Sequence, residues 1–171
     1  PLVGAEGYHA LWNGRARTAA RTGLHPVRVE HLLQRYGSLA EEVLDLIASD
    51  PSLGAPLRAA DDYLRAEITY AASHEGARHL DDVMTRRTRI AIETFDRGAR
   101  SAREAAELIA PVLGWDKSQI EREELNDPSS HGKTITALWR NRLGIETEDT
   151  HPLVIENNRL RGLLDSNDIE Y

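Results

Sequence analysis

Residues 61–89, DDYLRAEITYAASHEGARHLDDVMTRRTR, carry the clearest helical pattern in the 171-residue chain. Apolar side chains recur every three or four residues on both sides of Gly76, which is the spacing of one helix face. The pattern predicts a helix over about residues 61–76 and a shorter one over 80–89, joined by a turn at the glycine. The predicted inward stripes consist of Leu64, Ile68, Ala71 and Ala72 in the first helix, and Leu80, Val83 and Met84 in the second.

Similar periodicity is found on both sides of this stretch. It predicts helices that begin near Tyr8 and Pro26, and proline is favoured in the first turn of a helix. Ser38 and Ser101 are each followed three residues later by glutamate, which is the spacing of a capping box and predicts two more helix starts. Residues 90–95 alternate weakly and fit either a short strand or a continuation of the preceding helix.

The predicted fold class is all-α, a helical domain of about six helices over residues 1–125. Helix-breaking residues after Asn126 separate this domain from a polar, acidic extension of uncertain fold over residues 126–171. We expect the extension to be the least integrated part of the chain, docking through Trp139 and the apolar patch at residues 160–164. Because the sequence starts at Pro1 rather than at methionine, we expect a piece of a longer polypeptide.

The charge balance and the absence of cysteine argue against several classes of protein. The chain has 21 basic and 28 acidic side chains, and its formal net charge of −7 disfavours nucleic-acid binding, including helix-turn-helix DNA binding. Without cysteine there is no disulfide or thiolate metal site, and the composition fits a reducing, cytoplasmic compartment. No run of about 20 apolar residues is present, so we expect no transmembrane segment.

Short motifs that resemble functional sites lack the spacing that those sites require. His74 and His79 are not four residues apart, as the two ligands of a zinc-protease helix must be. Gly132-Lys133-Thr134 is not preceded by the glycine of a phosphate-binding loop, and no G-x-G-x-x-G dinucleotide motif occurs. We therefore expect no catalytic, cofactor-binding or metal-binding residue within this chain.

The densest basic segment, residues 86–89, has two interpretations. Asp82, Arg86 and Arg89 share one polar face of the predicted helix, on which Asp82 and Arg86 can form a pair. The segment is either a solvated helix end or part of an anion-binding or interdomain face. We expect the domain to be stable alone and to expose one apolar or arginine-lined face, with Arg86 and Arg89 at its edge.

Two opposite charges fall on the apolar stripes of the predicted helices. Glu75 follows Ile68 and Ala71 at helical spacing, and Arg87 follows Leu80 and Val83 in the same way. Because buried unpaired charges are strongly destabilising, this placement predicts a direct Glu75–Arg87 ion pair with a structural role. Glu67 is the reserve partner for the arginine.

The block from Tyr63 to Arg89 resembles the C-terminal domain of the FAD-dependent (aerobic) glycerol-3-phosphate dehydrogenase and alpha-glycerophosphate oxidase family. Residues 1–5, which read PLVGA, are similar to the exit from that family's FAD domain. Residues 32–37 (LLQRYG) and 113–115 (LGW) also match the domain's pattern. The resemblance extends over about residues 1–123.

The resemblance implies that the parent enzyme is a flavoprotein oxidoreductase of glycerol metabolism. It would oxidise sn-glycerol 3-phosphate to dihydroxyacetone phosphate and pass electrons through FAD to quinone or oxygen. The flavin and substrate sites would lie in the preceding FAD domain of the same polypeptide, which is therefore the expected partner. The chain itself would be a structural cap, not a catalyst. The resemblance leaves open a homo-oligomer and a peripheral association of the parent with the membrane.

One alternative from another functional class remains open at this point. A free-standing helical adaptor with a groove for a partner helix would have the same composition and the same periodicity. It would differ from a cap domain in having no flavin domain upstream.

Overall fold

The computed structural model describes residues 3–126 of the chain. The predicted extension, including Trp139 and the patch at residues 160–164, lies outside the described residues apart from Asn126. No helix between residues 3 and 126 combines the length and the apolar character needed to cross a bilayer.

The described residues form seven α-helices, one π-helix, two 3₁₀ turns and one small antiparallel hairpin. The mostly helical fold predicted from the sequence is confirmed, whereas the hairpin and the π-helix were not expected. The α-helices are α1 (Tyr8–Thr22), α2 (Pro26–Tyr36), α3 (Ala40–Ser49), α4 (Arg65–Ser73), α5 (Ile90–Glu93), α6 (Ala102–Leu113) and α7 (Lys117–Asn126). The remaining elements are the 3₁₀ turns Gly37–Leu39 and Pro51–Gly54, the strands β1 (Pro56–Leu57) and β2 (Ala60–Leu64), and the π-helix Asp82–Arg87.

The hairpin occupies the start of the segment that was predicted as a helix over residues 61–76. Asp61 and Asp62 are exposed on β2, whereas Tyr63 and Leu64 are buried. The helix α4 begins only after Leu64, whose backbone N–H donates to the side chain of Glu67 at 2.9 Å. It ends at Ser73, so the predicted helix is too long at both ends. Residues 60–64 form a strand because they pair with β1 through backbone hydrogen bonds. The spacing of apolar residues, from which the helix was predicted, does not reveal this pairing.

Helix α4 packs against two clusters of buried apolar side chains. One cluster joins it to the hairpin, the π-helix and α6, and the other joins it to α1, α2 and α3. Ile68 and Ala71 of α4 belong to the first cluster, whereas Ala66 and Tyr70 belong to the second. The helix therefore connects the two halves of the core.

The two predicted capping boxes are wrong. Helix α3 begins at Ala40, after a 3₁₀ turn that includes Ser38, and no side chain caps it. Ser101 precedes α6, but its hydroxyl is buried without a hydrogen-bond partner. Glu104 instead forms an ion pair with Arg65 at 2.7 Å, which ties α6 to α4. Glu104 therefore joins two helices and does not cap the start of its own helix.

The segment predicted as a helix over residues 80–89 contains the π-helix. Thr88 ends it by donating its backbone N–H and its hydroxyl to the Val83 carbonyl, at 2.8 and 2.7 Å. The ambiguous residues 90–95 form the single turn of α5 and the start of the loop that follows. Since a π-helix is wider than an α-helix, it changes the face on which its last residues lie, and Arg87 is exposed.

Gly98, in the loop after α5, provides a test of this packing. Its φ is 86°, and a Cβ at this position would lie 2.5 Å from Met84 Cε and 2.9 Å from Ile90 Cγ2. Replacing Gly98 with alanine should lower the free energy of unfolding by about 1–3 kcal/mol, because the substitution adds both backbone strain and overpacking. Urea denaturation followed by circular dichroism measures the change.

Gly14→Ala is the matched control. Gly14 lies within α1, and a Cβ added there would have no neighbouring atom within 4 Å, so alanine should raise stability by roughly 0.5–1 kcal/mol. Equal effects of the two substitutions would contradict the packing described for Gly98.

Candidate functional site

The most highly connected polar group in the described structure is the carboxylate of Glu67, whose side chain is completely buried. Its Oε2 accepts the hydroxyl of Tyr36 at 3.2 Å and lies 3.1 Å from His31 Nε2. The Nε of Arg35 lies 3.4 Å from the same oxygen, without hydrogen-bond geometry. Oε1 accepts the Leu64 backbone N–H. All three neighbouring side chains come from α2, so this buried charge joins α2 to the start of α4.

The first turn of α4 favours a negative charge at this position. Glu67 lies in that turn, where the free N–H groups and the helix dipole stabilise an anion. Burial, followed by the charge of Glu67, raises the pKa of Tyr36, so its hydroxyl stays protonated and donates to the carboxylate. We call Glu67, His31, Arg35 and Tyr36 the Glu67 cluster.

Arg35 extends the cluster towards the π-helix. Its Nη2 donates to the Arg87 carbonyl at 2.8 Å, and its guanidinium carbon lies 5.1 Å from the centre of the Tyr63 ring. This carbonyl is at the end of the π-helix, where backbone acceptors lack helical partners. Arg35 therefore connects three elements: α2, the π-helix and β2.

Tyr63 carries the connection to α5. Its hydroxyl donates to Glu93 Oε2 at 2.5 Å and accepts the backbone N–H of Arg89 at 3.1 Å. Burial, together with the hydrogen bond to Glu93, raises the pKa of Tyr63 to about 12. The phenol thus remains a donor throughout the physiological range and holds both ends of α5.

The predicted Glu75–Arg87 ion pair is absent. No nitrogen of Arg87 lies within 4.0 Å of a Glu75 oxygen. Glu75 Oε2 is buried without a hydrogen-bond partner, and burial raises the pKa of this carboxyl although the charge of Arg87 opposes the shift. The prediction failed because α4 ends before Glu75 and because the π-helix turns Arg87 towards solvent.

The reserve partner, Glu67, is the carboxylate around which the polar side chains gather, but it pairs with Arg35. Arg35 belongs to α2, which is distant in the sequence from Glu67. The prediction was based only on the two helices on either side of Gly76, so it could not identify this partner. Three polar residues of α2, His31, Arg35 and Tyr36, lie within two turns of that helix. This spacing was the signal in the sequence that could have indicated the site.

The residues predicted for an interdomain face, Asp82, Arg86 and Arg89, are not gathered into one unpaired surface. The Asp82–Arg86 pair forms as the spacing indicates, at 2.6 Å, and Arg86 also contacts Asp81 at 2.7 Å. Arg89 lies 3.3 Å from Glu93. Asp82 also accepts the backbone N–H groups of Arg78 and His79, so its main contacts are within the domain.

A second buried carboxylate, Glu123, was not identified from the sequence. It accepts the Leu80 backbone N–H at 3.0 Å and lies 3.0 Å from His79 Nδ1. The hydrogen bond with Glu123 raises the pKa of His79. These contacts hold α7 against the segment that leads into the π-helix, and they give His79 a structural partner in place of a metal.

The described residues do not fit an FAD molecule. A dinucleotide fold holds the pyrophosphate at a glycine-rich turn between a strand and a helix of a parallel sheet. Residues 3–126 contain only the antiparallel hairpin β1–β2, and two of their concave sites have volumes of about 180 and 390 Å³. In the same range, no three histidine, aspartate or glutamate side chains are placed to hold a metal ion.

Neutralising Glu67 tests whether its charge organises the cluster. Glu67→Gln should lower the free energy of unfolding by about 3–5 kcal/mol, because it leaves the Arg35 charge without its buried counter-ion. The same change at Glu107, which pairs with Arg103 on the surface, should cost at most about 1 kcal/mol. Chemical denaturation of both variants measures the difference, and equal costs would contradict the role assigned to Glu67.

Comparison with known proteins places this chain in a protein family. The family described as "C-terminal domain of alpha-glycerophosphate oxidase" matches residues 1–120. No solved structure matches the chain.

Three similar proteins are dehydrogenases by name. "Glycerol-3-phosphate dehydrogenase 2" of Mycobacterium tuberculosis is 54% identical over 125 residues, which are 73% of this chain and 21% of that protein. "Glycerol-3-phosphate dehydrogenase" of Mycobacterium leprae is 51% identical over 122 residues, 71% of this chain and 21% of the relative. "Glycerol-3-phosphate dehydrogenase SDP6, mitochondrial" of Arabidopsis thaliana is 37% identical over 94 residues, 55% of this chain and 15% of the relative. The chain thus spans about a fifth of the length of these two mycobacterial relatives, and it belongs to the family of the C-terminal domain of alpha-glycerophosphate oxidase.

Proposed function

We propose that this chain is the C-terminal structural domain of an FAD-dependent glycerol-3-phosphate dehydrogenase. The observation that carries the proposal is the 54% identity to a single fifth of a dehydrogenase, together with the family match over residues 1–120. The polar groups of the described domain support a structural role, since the Glu67 cluster and Glu123 bind other parts of the same domain.

The parent enzyme oxidises sn-glycerol 3-phosphate to dihydroxyacetone phosphate and passes electrons through FAD to quinone or oxygen. The flavin and substrate sites lie in the preceding FAD domain, which is the partner of this chain within one polypeptide. The enzyme is cytoplasmic. A free-standing adaptor would not account for the identity to part of a dehydrogenase.

A hybrid enzyme tests this function. The hybrid consists of the Mycobacterium tuberculosis relative with its matched C-terminal fifth replaced by residues 1–126 of this chain. It should bind FAD and oxidise sn-glycerol 3-phosphate in an assay that follows reduction of a quinone analogue. This chain alone should neither bind FAD nor reduce the acceptor, because its described residues form no flavin site.

The matched control is the relative truncated before the replaced segment. If the chain supplies the missing domain, the hybrid should be at least tenfold more active than the truncated enzyme. A hybrid with no more activity than the truncated enzyme, or FAD-dependent turnover by this chain alone, would contradict the proposed function.

A further inference from the structure

The turn of α5 and the loop that follows it expose two large apolar side chains. Ile92 is 71% exposed and Phe95, the chain's single phenylalanine, is 90% exposed. Isolated apolar residues are common on protein surfaces, so exposure alone indicates little. Arg89, on the same turn, has 64% of its side chain exposed. We call Ile92, Phe95 and Arg89 the α5 surface.

Contacts with the core of the domain hold the α5 surface in place. Glu93, which lies between the two apolar residues, accepts the Tyr63 hydroxyl and also contacts Arg89 at 3.3 Å. Ile90, at the start of the turn, is completely buried in the core cluster. One side of α5 is therefore fixed to the core and, through Tyr63, to Arg35, while Ile92 and Phe95 extend from the other side.

The loop that carries Phe95 is ordered by its own contacts. Asp96 accepts the backbone N–H groups of Gly98 at 3.2 Å and Arg100 at 2.9 Å. Burial opposes ionisation of Asp96, but these hydrogen bonds outweigh it and keep the pKa of this carboxyl below its ordinary value. Gly98 packs closely against Met84 and Ile90. The residues on both sides of Phe95 are therefore held by contacts within the domain, while its ring is exposed.

The beginning of the described chain and the segment that leads into α5 both contact the last turn of α2. The Gly4 carbonyl accepts the Ser38 backbone N–H at 2.8 Å, and the Gly4 and Gly37 backbones are in direct contact. Arg35, in the same last turn of α2, donates to the carbonyl of Arg87, close to α5. In a full-length dehydrogenase, the polypeptide that precedes this domain therefore reaches it at the last turn of α2, which Arg35 links to the residues before α5.

We propose that the α5 surface is the place where the preceding part of the full-length dehydrogenase docks on this domain. The inference rests on the proposed function and deepens it by naming the contact. The partner surface should be an apolar pocket that receives Phe95 and Ile92, with a carboxylate at its rim for Arg89. Of the interdomain face predicted from the sequence, only Arg89 belongs to this surface, because it lies at the start of α5, whereas Asp82 and Arg86 lie on the π-helix.

Single cysteines introduced into the hybrid enzyme test the proposal, because residues 1–126 contain no cysteine of their own. The variants are Ile92→Cys and Phe95→Cys, with Val27→Cys as the matched control. Val27 is 59% exposed and lies at the opposite end of α2. The rate of reaction with a maleimide is followed by mass spectrometry of the modified peptide, and each rate is divided by that of the urea-denatured hybrid.

Docking predicts that the Phe95→Cys and Ile92→Cys hybrids react at least tenfold more slowly than the Val27→Cys hybrid. The protection should not change when the protein is diluted. Rapid labelling of Phe95→Cys, equal protection at all three positions, or protection lost on dilution would overturn the proposal. The last result would indicate that a second copy of the protein covers the surface.

The hybrid's activity separates this proposal from the proposed function. An active hybrid in which Phe95→Cys reacts rapidly would contradict the docking surface alone. An inactive hybrid in which Phe95→Cys is protected would contradict the proposed function alone, and an inactive hybrid without protection would contradict both.

Discussion

A carboxylate with no exposed surface needs compensating charges and donors, and in this domain they come from two separate parts of the chain. Glu67 lies at the start of α4 and is surrounded by His31, Arg35 and Tyr36 of α2. An isolated buried carboxylate would be destabilising by several kcal/mol, so α4 and α2 must come together in one arrangement. The apolar clusters on both sides of α4 then pack around that arrangement.

Contacts of Arg35 and Tyr63 link the buried Glu67 cluster to α5 at the surface of the domain. Arg35 contacts Glu67 and also donates to the carbonyl of Arg87, and its guanidinium carbon lies 5.1 Å from the centre of the Tyr63 ring. Tyr63 in turn holds α5 through Glu93 and the backbone of Arg89. This polar network therefore positions one surface of the domain. A network with this arrangement supports the structural role proposed for the domain.

The sequence predicted the parts of the fold that depend on local periodicity. The helices beginning near Tyr8 and Pro26 were expected from apolar spacing, and the Asp82–Arg86 pair was expected from the four-residue spacing of two opposite charges on one polar face. The hairpin was missed because Ala60 and Leu64 pair with β1, which lies outside the segment whose apolar periodicity predicted a helix. The candidate site was predicted less well because its contacts are distant in the sequence. The Glu75–Arg87 prediction assumed that both residues lie in regular α-helices. In the structure α4 ends before Glu75, and Arg87 lies at the end of a π-helix. Glu67 was recognised only as a reserve partner, since its pairing with Arg35 depends on how α2 packs against α4.

The coupling between Glu67 and Arg35 tests the central claim most directly. A double-mutant cycle with Glu67→Gln, Arg35→Gln and the double variant, measured by chemical denaturation, isolates their interaction from the effects of each substitution alone. If the buried pair organises the domain, the double variant should be more stable than the sum of the two single losses predicts, with a coupling energy of about 1–3 kcal/mol. Additive losses, within about 0.5 kcal/mol, would contradict the claim that the domain depends on this interaction.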